Sequence, residues 1–257
     1  RALTASYQYL IMGTIGATFI VIAIGLLYQA TGTLNMADLA QRIAEHGYDR
    51  TVIVAFAFLV VGAAIKAALF PLHQWLPNAY AYAPNVVTAF LAATATKVSI
   101  YILIRFLFTI FGVEFSFEVL PSALPLTILS ICAMFAASTV ACFQTNIKRM
   151  LAYSSIAQVG YTVLGVSFVT TLGLQAGILH LFNHSLMKGA LFLVLGAIFY
   201  RIGSSTMDGL AGIGKRMPWT MAAFVGGGLS LIGVPLTAGF ISKWYLILAA
   251  LDKGWWY

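Results

Sequence analysis

Residues 6–29, SYQYLIMGTIGATFIVIAIGLLYQ, contain no charged side chain. A run of about 20 apolar residues is what a helix needs to cross a hydrocarbon core ~30 Å thick. Inside a bilayer every backbone N–H and C=O must be paired without water, which leaves only helices and closed barrels as spanning structures. Barrel strands are about 10 residues long and alternate in polarity, and this run does neither. Comparable runs recur at about 51–72, 84–111, 122–143, 151–171, 174–200 and 218–250, giving about seven spans. The expected fold class is all-α transmembrane, one membrane domain over 1–257. A charged content of 8% against 61% hydrophobic residues excludes a soluble domain, where about a quarter of residues are charged.

Two of these spans carry helix breakers. The last contains GGGLSLIGVPLTAG, with Gly226, Gly227, Gly228, Gly233 and Pro235, and the second has Pro71 five residues beyond Lys66. Glycine and proline weaken or interrupt helices, so both spans are expected to be discontinuous. Loop charge sets the orientation. Arg1, Lys148, Arg149, Arg201, Lys215 and Arg216 fall on one side, against Arg42, Arg50 and Lys253 on the other. The positive-inside rule makes the first side cytoplasmic, placing HQWLPNAYAYAP inside and DLAQRIAEHGYDR outside as loops.

The net charge of +7 is spread along the chain and is no nucleic-acid footprint. All seven carboxylates lie in loops or at span ends, whereas Lys66, Lys97, His180, His184, Lys188 and Lys243 lie within apolar segments. A charged lysine at mid-membrane costs roughly 3 kcal/mol on insertion scales. Snorkelling to the interface is the bland account, and it stands beside the functional one for Lys188 and Arg105. The functional account is a proton relay. Burial disfavours the charged form of an amine, so a lysine becomes a switchable carrier, as a permanently charged arginine does not. HLFNHSLMKGALF places His180, His184 and Lys188 four residues apart on one helical face, with Asn183 beside them. NIKRMLAYSSIAQVGY adds Ser154, Ser155 and Gln158 as neutral polar groups. GAAIK and GFISK, ending in Lys66 and Lys243, share a Gly-x-x-x-Lys pattern near a proline, as repeated transporter halves do.

His180 and His184 also fit a helical zinc pair, but no glutamate follows His180 and the chain has only four histidines. No metal site is therefore expected. No nucleotide fingerprint, haem ligand pair or cysteine cluster is present, so no cofactor is expected either. Cys132 and Cys142 read as packing residues, His73 as interfacial, and Trp75, Tyr80 and Tyr82 as an aromatic belt.

Longer motifs carry a resemblance. AAIKAALFPLHQWLPNAYAYAPNVVTAFLAATATKVSIY, NIKRMLAYSSIAQVGY, HLFNHSLMKGALFLVLGAI and GVPLTAGFISKW resemble the proton-translocating antiporter-like family. That family includes the antiporter-like membrane subunits of respiratory complex I and the A and D subunits of Mrp-type sodium/proton antiporters. YQYLIMGTIGATF and GTLNMADLA look most like the Mrp-type D branch. The resemblance implies a fourteen-helix fold with two inverted repeats, of which this chain covers spans six to twelve. Residues 1–111 then end the first repeat, and 122–257 begin the second. It further implies that Lys66, Lys97, His180, His184 and Lys243 carry protons, with Lys66 and Lys243 on the broken helices. An essential glutamate on the fifth helix would lie just before Arg1.

The expected function is thus the ion-translocating subunit of a multisubunit sodium/proton antiporter, a secondary transporter rather than an enzyme. It would sit multi-pass in the cell membrane, with other subunits as partners and protons and sodium as ions. The alternative is a proton-pumping subunit of an NADH-quinone oxidoreductase or membrane hydrogenase complex. A membrane metalloenzyme is the third reading.

Overall fold

The computed structural model describes residues 1–254, and among them the chain is helical apart from turns and one isolated bridge between Asn146 and Thr206. Five stretches are long and apolar enough to cross a membrane: Ala2–Thr31, Arg50–Ala67, Asn85–Ile110, Ala123–Cys142 and Thr171–Ile202. They coincide with five of the seven expected spans. The expected span at 151–171 is a helix of 21 residues, Ile147–Ser167, whose polar residues lower its hydropathy. The expected span at 218–250 is two half-helices of 15 residues each.

Local chemistry sets the ends. Helix α1 (Ala2–Thr31) stops at Gly32, which takes the left-handed conformation (φ 70°) and returns its N–H to Tyr28 O. Helix α2 (Met36–His46) starts at Asn35, whose Oδ1 accepts from the N–H groups of Ala37 and Asp38. It lies across the end of α1, where Arg42 Nη1 donates to Thr31 O at 2.8 Å. Helix α3 (Arg50–Ala67) is capped by Asp49 and breaks at Ala68. Helix α4 (Trp75–Tyr82) follows a tight turn through Pro71, and α5 (Asn85–Ala93) meets α6 (Ala95–Arg105) at a kink on Thr94. Two π-helical turns, Phe106–Ile110 and Glu114–Val119, lead to α7 (Ala123–Cys142). Helix α8 (Ile147–Ser167) packs along α7, and α9 (Thr171–Ile202) is the longest element. After the short α10 (Ile213–Arg216) come α11 (Pro218–Ile232) and α12 (Ala238–Asp252).

Helix α9 is the hub, in contact with α5, α8, α11 and α12. Elsewhere helices approach through glycine. A Cβ on Gly62 of α3 would lie 2.8 Å from Gly16 O of α1, and one on Gly165 of α8 would lie 2.7 Å from Gly173 O of α9. Small residues at such crossings let backbones touch, the main source of helix association where lipid is as apolar as leucine.

The loops sort to two ends. At one, Ile147 N–H bonds Ser205 O, Lys148 Nζ bonds Ala83 O at 3.3 Å, and Asn78 reaches Gln8. At the other, the ring of Tyr48 stacks on Phe115 at 4.3 Å. This is the alternation expected of successive crossings.

Four sequence readings need correction. HQWLPNAYAYAP is largely helix α4, and DLAQRIAEHGYDR largely helix α2, rather than loops. Trp75 and Tyr80 are 7% and 1% exposed, so they are interior and not an interfacial belt. Their polar tips are bonded inside, Trp75 Nε1 to Ile65 O at 3.0 Å and Tyr80 Oη to Leu91 O at 3.2 Å. Finally, Cys132 and Cys142 are free and face outward from α7 rather than packing within it.

Candidate functional site

Three side chains of α9 form the centre. His180, His184 and Lys188 are all fully buried, and the two imidazoles lie nearly parallel, with centroids 6.2 Å apart. The four-residue spacing puts them on the face that α8 covers on one side and α12 on the other. Asn183 joins them, Nδ2 donating to Ala238 O at 2.8 Å.

His180 is bonded at both nitrogens. Nε2 lies 2.8 Å from Gln158 Oε1 of α8, and Nδ1 lies 2.9 Å from Ser242 Oγ of α12. Gln158 cannot turn its amide over without loss, because its Nε2 donates to Leu231 O at 3.4 Å and a carbonyl only accepts. With Oε1 thereby facing the ring, Nε2 of His180 carries a hydrogen.

Lys243 reaches the end of α11. Its Nζ donates to Leu231 O at 3.1 Å and Ile232 O at 2.9 Å, and stands 4.6 Å from the centroid of the Tyr161 ring. The sequence explains why those oxygens are open. In a continuous helix Leu231 O would take the N–H of residue 235, but Pro235 has none. Gly233, with φ 90°, ends the helix, and its missing side chain leaves room for the Lys243 stem: a Cβ there would lie 3.0 Å from Lys243 Cδ. Leu231 O therefore joins Gln158 and Lys243, and a continuous polar circuit runs His180–Gln158–Leu231–Lys243.

Lys97 uses the same device. It is 6% exposed and bonds Ala92 O at the end of α5, while Ser185 of α9 takes the neighbouring Ala93 O. Lys188 donates to Leu151 O at 2.8 Å and Ser154 Oγ at 2.5 Å, so it is anchored inward on α8 and does not snorkel. The amines of Lys97, Lys188 and Lys243 thus meet carbonyls and hydroxyls rather than carboxylates. Hydrogen bonds to a charged group are each worth about 1.5–3 kcal/mol, and a helix C-terminus adds a negative partial charge. That is the order of the insertion cost.

Lys66 differs. It is half-buried and forms no hydrogen bond or ion pair among the described residues. It lines an open cavity of about 130 Å³ with Tyr9, Gly13, Ile65, Trp75, Ala95 and Ser99. That volume holds several waters, at about 30 Å³ each. Lys97 does not line it. The structure brings His180 and Lys243 into one circuit and stacks His184 on His180, but it does not join Lys66 to Lys97 through side chains. Both ring nitrogens of His184 are buried and unbonded among the described residues. Sequence reasoning missed Ser242, which adjoins Lys243 in GFISK and gave no signal by spacing. Lys188 was visible in the stripe, but its anchorage was not.

Ionisable groups inside membrane spans are rare, and here they face the interior of the helix bundle and not the lipid. By class this is a multi-span helical membrane protein with a titratable interior. The chain belongs to the family described as NADH:quinone oxidoreductase/Mrp antiporter, TM, whose model matches residues 1–257. It is 46% identical over 256 residues to the NADH-quinone oxidoreductase N subunit of Desulforudis audaxviator, covering 100% of this chain and 51% of that protein. It is 35% identical over 249 residues to the Na(+)/H(+) antiporter D subunit of Alkalihalophilus pseudofirmus, covering 96% and 50%. A chain in the structure of the Mrp complex from Dietzia sp. superposes with a TM-score of 0.89 at 35% identity, covering 98% of this chain and 46% of the other. The chain spans about half the length of the curated relatives it matches.

Proposed function

We propose that this chain is an ion-translocating part of a multisubunit monovalent cation (sodium)/proton antiporter, a secondary transporter in the plasma membrane. In this reading Lys66, Lys97, His180, His184 and Lys243 carry protons across the interior of two inverted repeats, and other subunits complete the path. The observation that carries it is the circuit that ties two titratable side chains, the fully buried His180 and the half-buried Lys243, through the neutral Gln158 amide and Leu231 O.

A second reading, a proton-pumping subunit of an NADH-quinone oxidoreductase or membrane hydrogenase complex, is favoured by the higher identity to the NADH-quinone oxidoreductase relative. Both readings share the proton path and differ in what drives it. The test is proton uptake by inverted vesicles that carry the native assembly. Uptake driven by a sodium gradient supports the antiporter. Uptake driven only by an electron donor supports the second reading. In either case Lys97→Met should abolish uptake with assembly intact, whereas Lys97→His, which still titrates near neutral pH, should retain part of it. Full uptake in assembled Lys97→Met would overturn both.

A further inference from the structure

Ser242 is fully buried and has two hydrogen-bond partners within reach of its hydroxyl: His180 Nδ1 at 2.9 Å and Gly239 O at 3.1 Å. One is a ring nitrogen that either donates or accepts, and the other is a carbonyl that only accepts. Because Gln158 keeps a hydrogen on Nε2, the neutral His180 ring has its lone pair on Nδ1, and among the described residues the Ser242 hydroxyl hydrogen is what fills it. When the ring holds a second proton, Nδ1–H must donate, and Ser242 Oγ must become the acceptor. Its own hydrogen then has a ready partner in Gly239 O.

We propose that Ser242 is a positioning residue for proton carriage, a two-position hydroxyl that pairs His180 Nδ1 in both of the ring's protonation states. On uptake the Ser242 O–H turns from Nδ1 to Gly239 O, the freed lone pair takes a proton from a water molecule entering the site, and the new Nδ1–H points at Oγ. Release reverses the turn. No heavy atom of the protein need move, and no buried polar atom loses its partner at either stage, where an unpaired one would disfavour that state. The other groups that face His180 are Tyr161 of α8, whose ring centroid is 5.7 Å away, and His184 of its own helix. Neither reaches Nδ1. Lys243 of α12 and Lys97 of α6 act on the ring only through space, the first tied to Leu231 O and Ile232 O and the second to Ala92 O.

The proposal rests on the proton-translocation reading but is tested separately from it. Nitrogen-15 NMR of the assembled complex, with histidine labelled and the His180 signal assigned by its loss in His180→Asn, reads the ring directly. In the wild type, Nε2 should be protonated at every pH, and neutral Nδ1 should show the shift of a hydrogen-bonded acceptor. Ser242→Ala should move neutral Nδ1 to the position of a free ring nitrogen, and Ser242→Thr should restore it. Proton uptake should fall by about tenfold in Ser242→Ala, the loss expected of one hydrogen bond, and recover in Ser242→Thr, with assembly equal throughout. A neutral ring protonated at Nδ1 in the wild type, or an unmoved Nδ1 signal in Ser242→Ala, would overturn it. Absence of wild-type uptake would count against the transport reading alone, leaving the NMR result to decide the role of Ser242.

Discussion

Ser154 Oγ accepts a hydrogen bond from Lys188 Nζ at 2.5 Å, and the same amine donates to Leu151 O one turn earlier on α8. The fully buried amine on α9 is therefore tied to the neighbouring helix by its main chain and one hydroxyl. Ser154→Ala should weaken this tie without opening a large cavity, at about 1–3 kcal/mol for the buried donor left partly unpaired. Lys188→Met removes donor and charge together and should cost less, because Ser154 Oγ still donates to Leu151 O and no buried donor is left unpaired. Thermal unfolding in detergent ranks the two, and the reverse order would refute the anchorage described.

Lys66 lines water-sized space and has no bonded partner among the described residues, so its amine is open to whatever enters the cavity. Lys66→Met should abolish proton uptake in the assembled protein. Lys66→Arg keeps the charge but does not release it, and should be nearly as damaging. Wild-type uptake in either variant would reduce Lys66 to a structural role.

His184 has no hydrogen bond among the described residues to lose, so its replacement should spare folding. His184→Gln should assemble at wild-type levels and transport poorly, because glutamine bonds water but does not titrate. Normal uptake in this variant would remove His184 from the path.

The α1–α3 crossing admits no side chain at Gly62. Gly62→Val should destabilise by at least about 1–3 kcal/mol, the usual penalty for overpacking, and lower the yield of folded protein. Gly25→Val, where a Cβ meets nothing within 4 Å, is the control.

Outside the spans, Asp38 in α2 is held below the usual carboxylate range, first by its hydrogen bond from Arg42 and then by Thr33. A folded-state pKa below the unfolded value stabilises above the unfolded pKa and is lost as pH falls through the folded one. Acidification below about pH 4 should therefore lower hydrogen-exchange protection factors in α2. Asp38→Asn should show the lowered protection already at neutral pH.

Much of this was legible because the bilayer writes itself into sequence. Long apolar runs predict spans, Gly233 and Pro235 predict a break, and four-residue spacing predicts the His180–His184–Lys188 face. The failures have a common cause. Trp75 and Tyr80 carry polar tips that suit an interface equally well, and only the fold-back of α4 buries them. Ser242 is an ordinary residue in sequence, and its role depends on α12 meeting α9 in one rotation. Lys188 could snorkel or turn inward, and Ser154 on another helix decides between them. Pairing across helices leaves no local periodicity to read.

Pro235 carries one more consequence. A main-chain oxygen normally claimed by its own helix has been released to other takers, and two side chains from different helices now share it. Restoring an N–H at 235 would return a rival for Leu231 O, so a seamless rod and a docked Lys243 are alternatives, not companions. The junction therefore behaves as an exclusive choice written into covalent structure: the chain gives up continuity at one point and receives, in exchange, a socket whose occupancy three helices must agree upon.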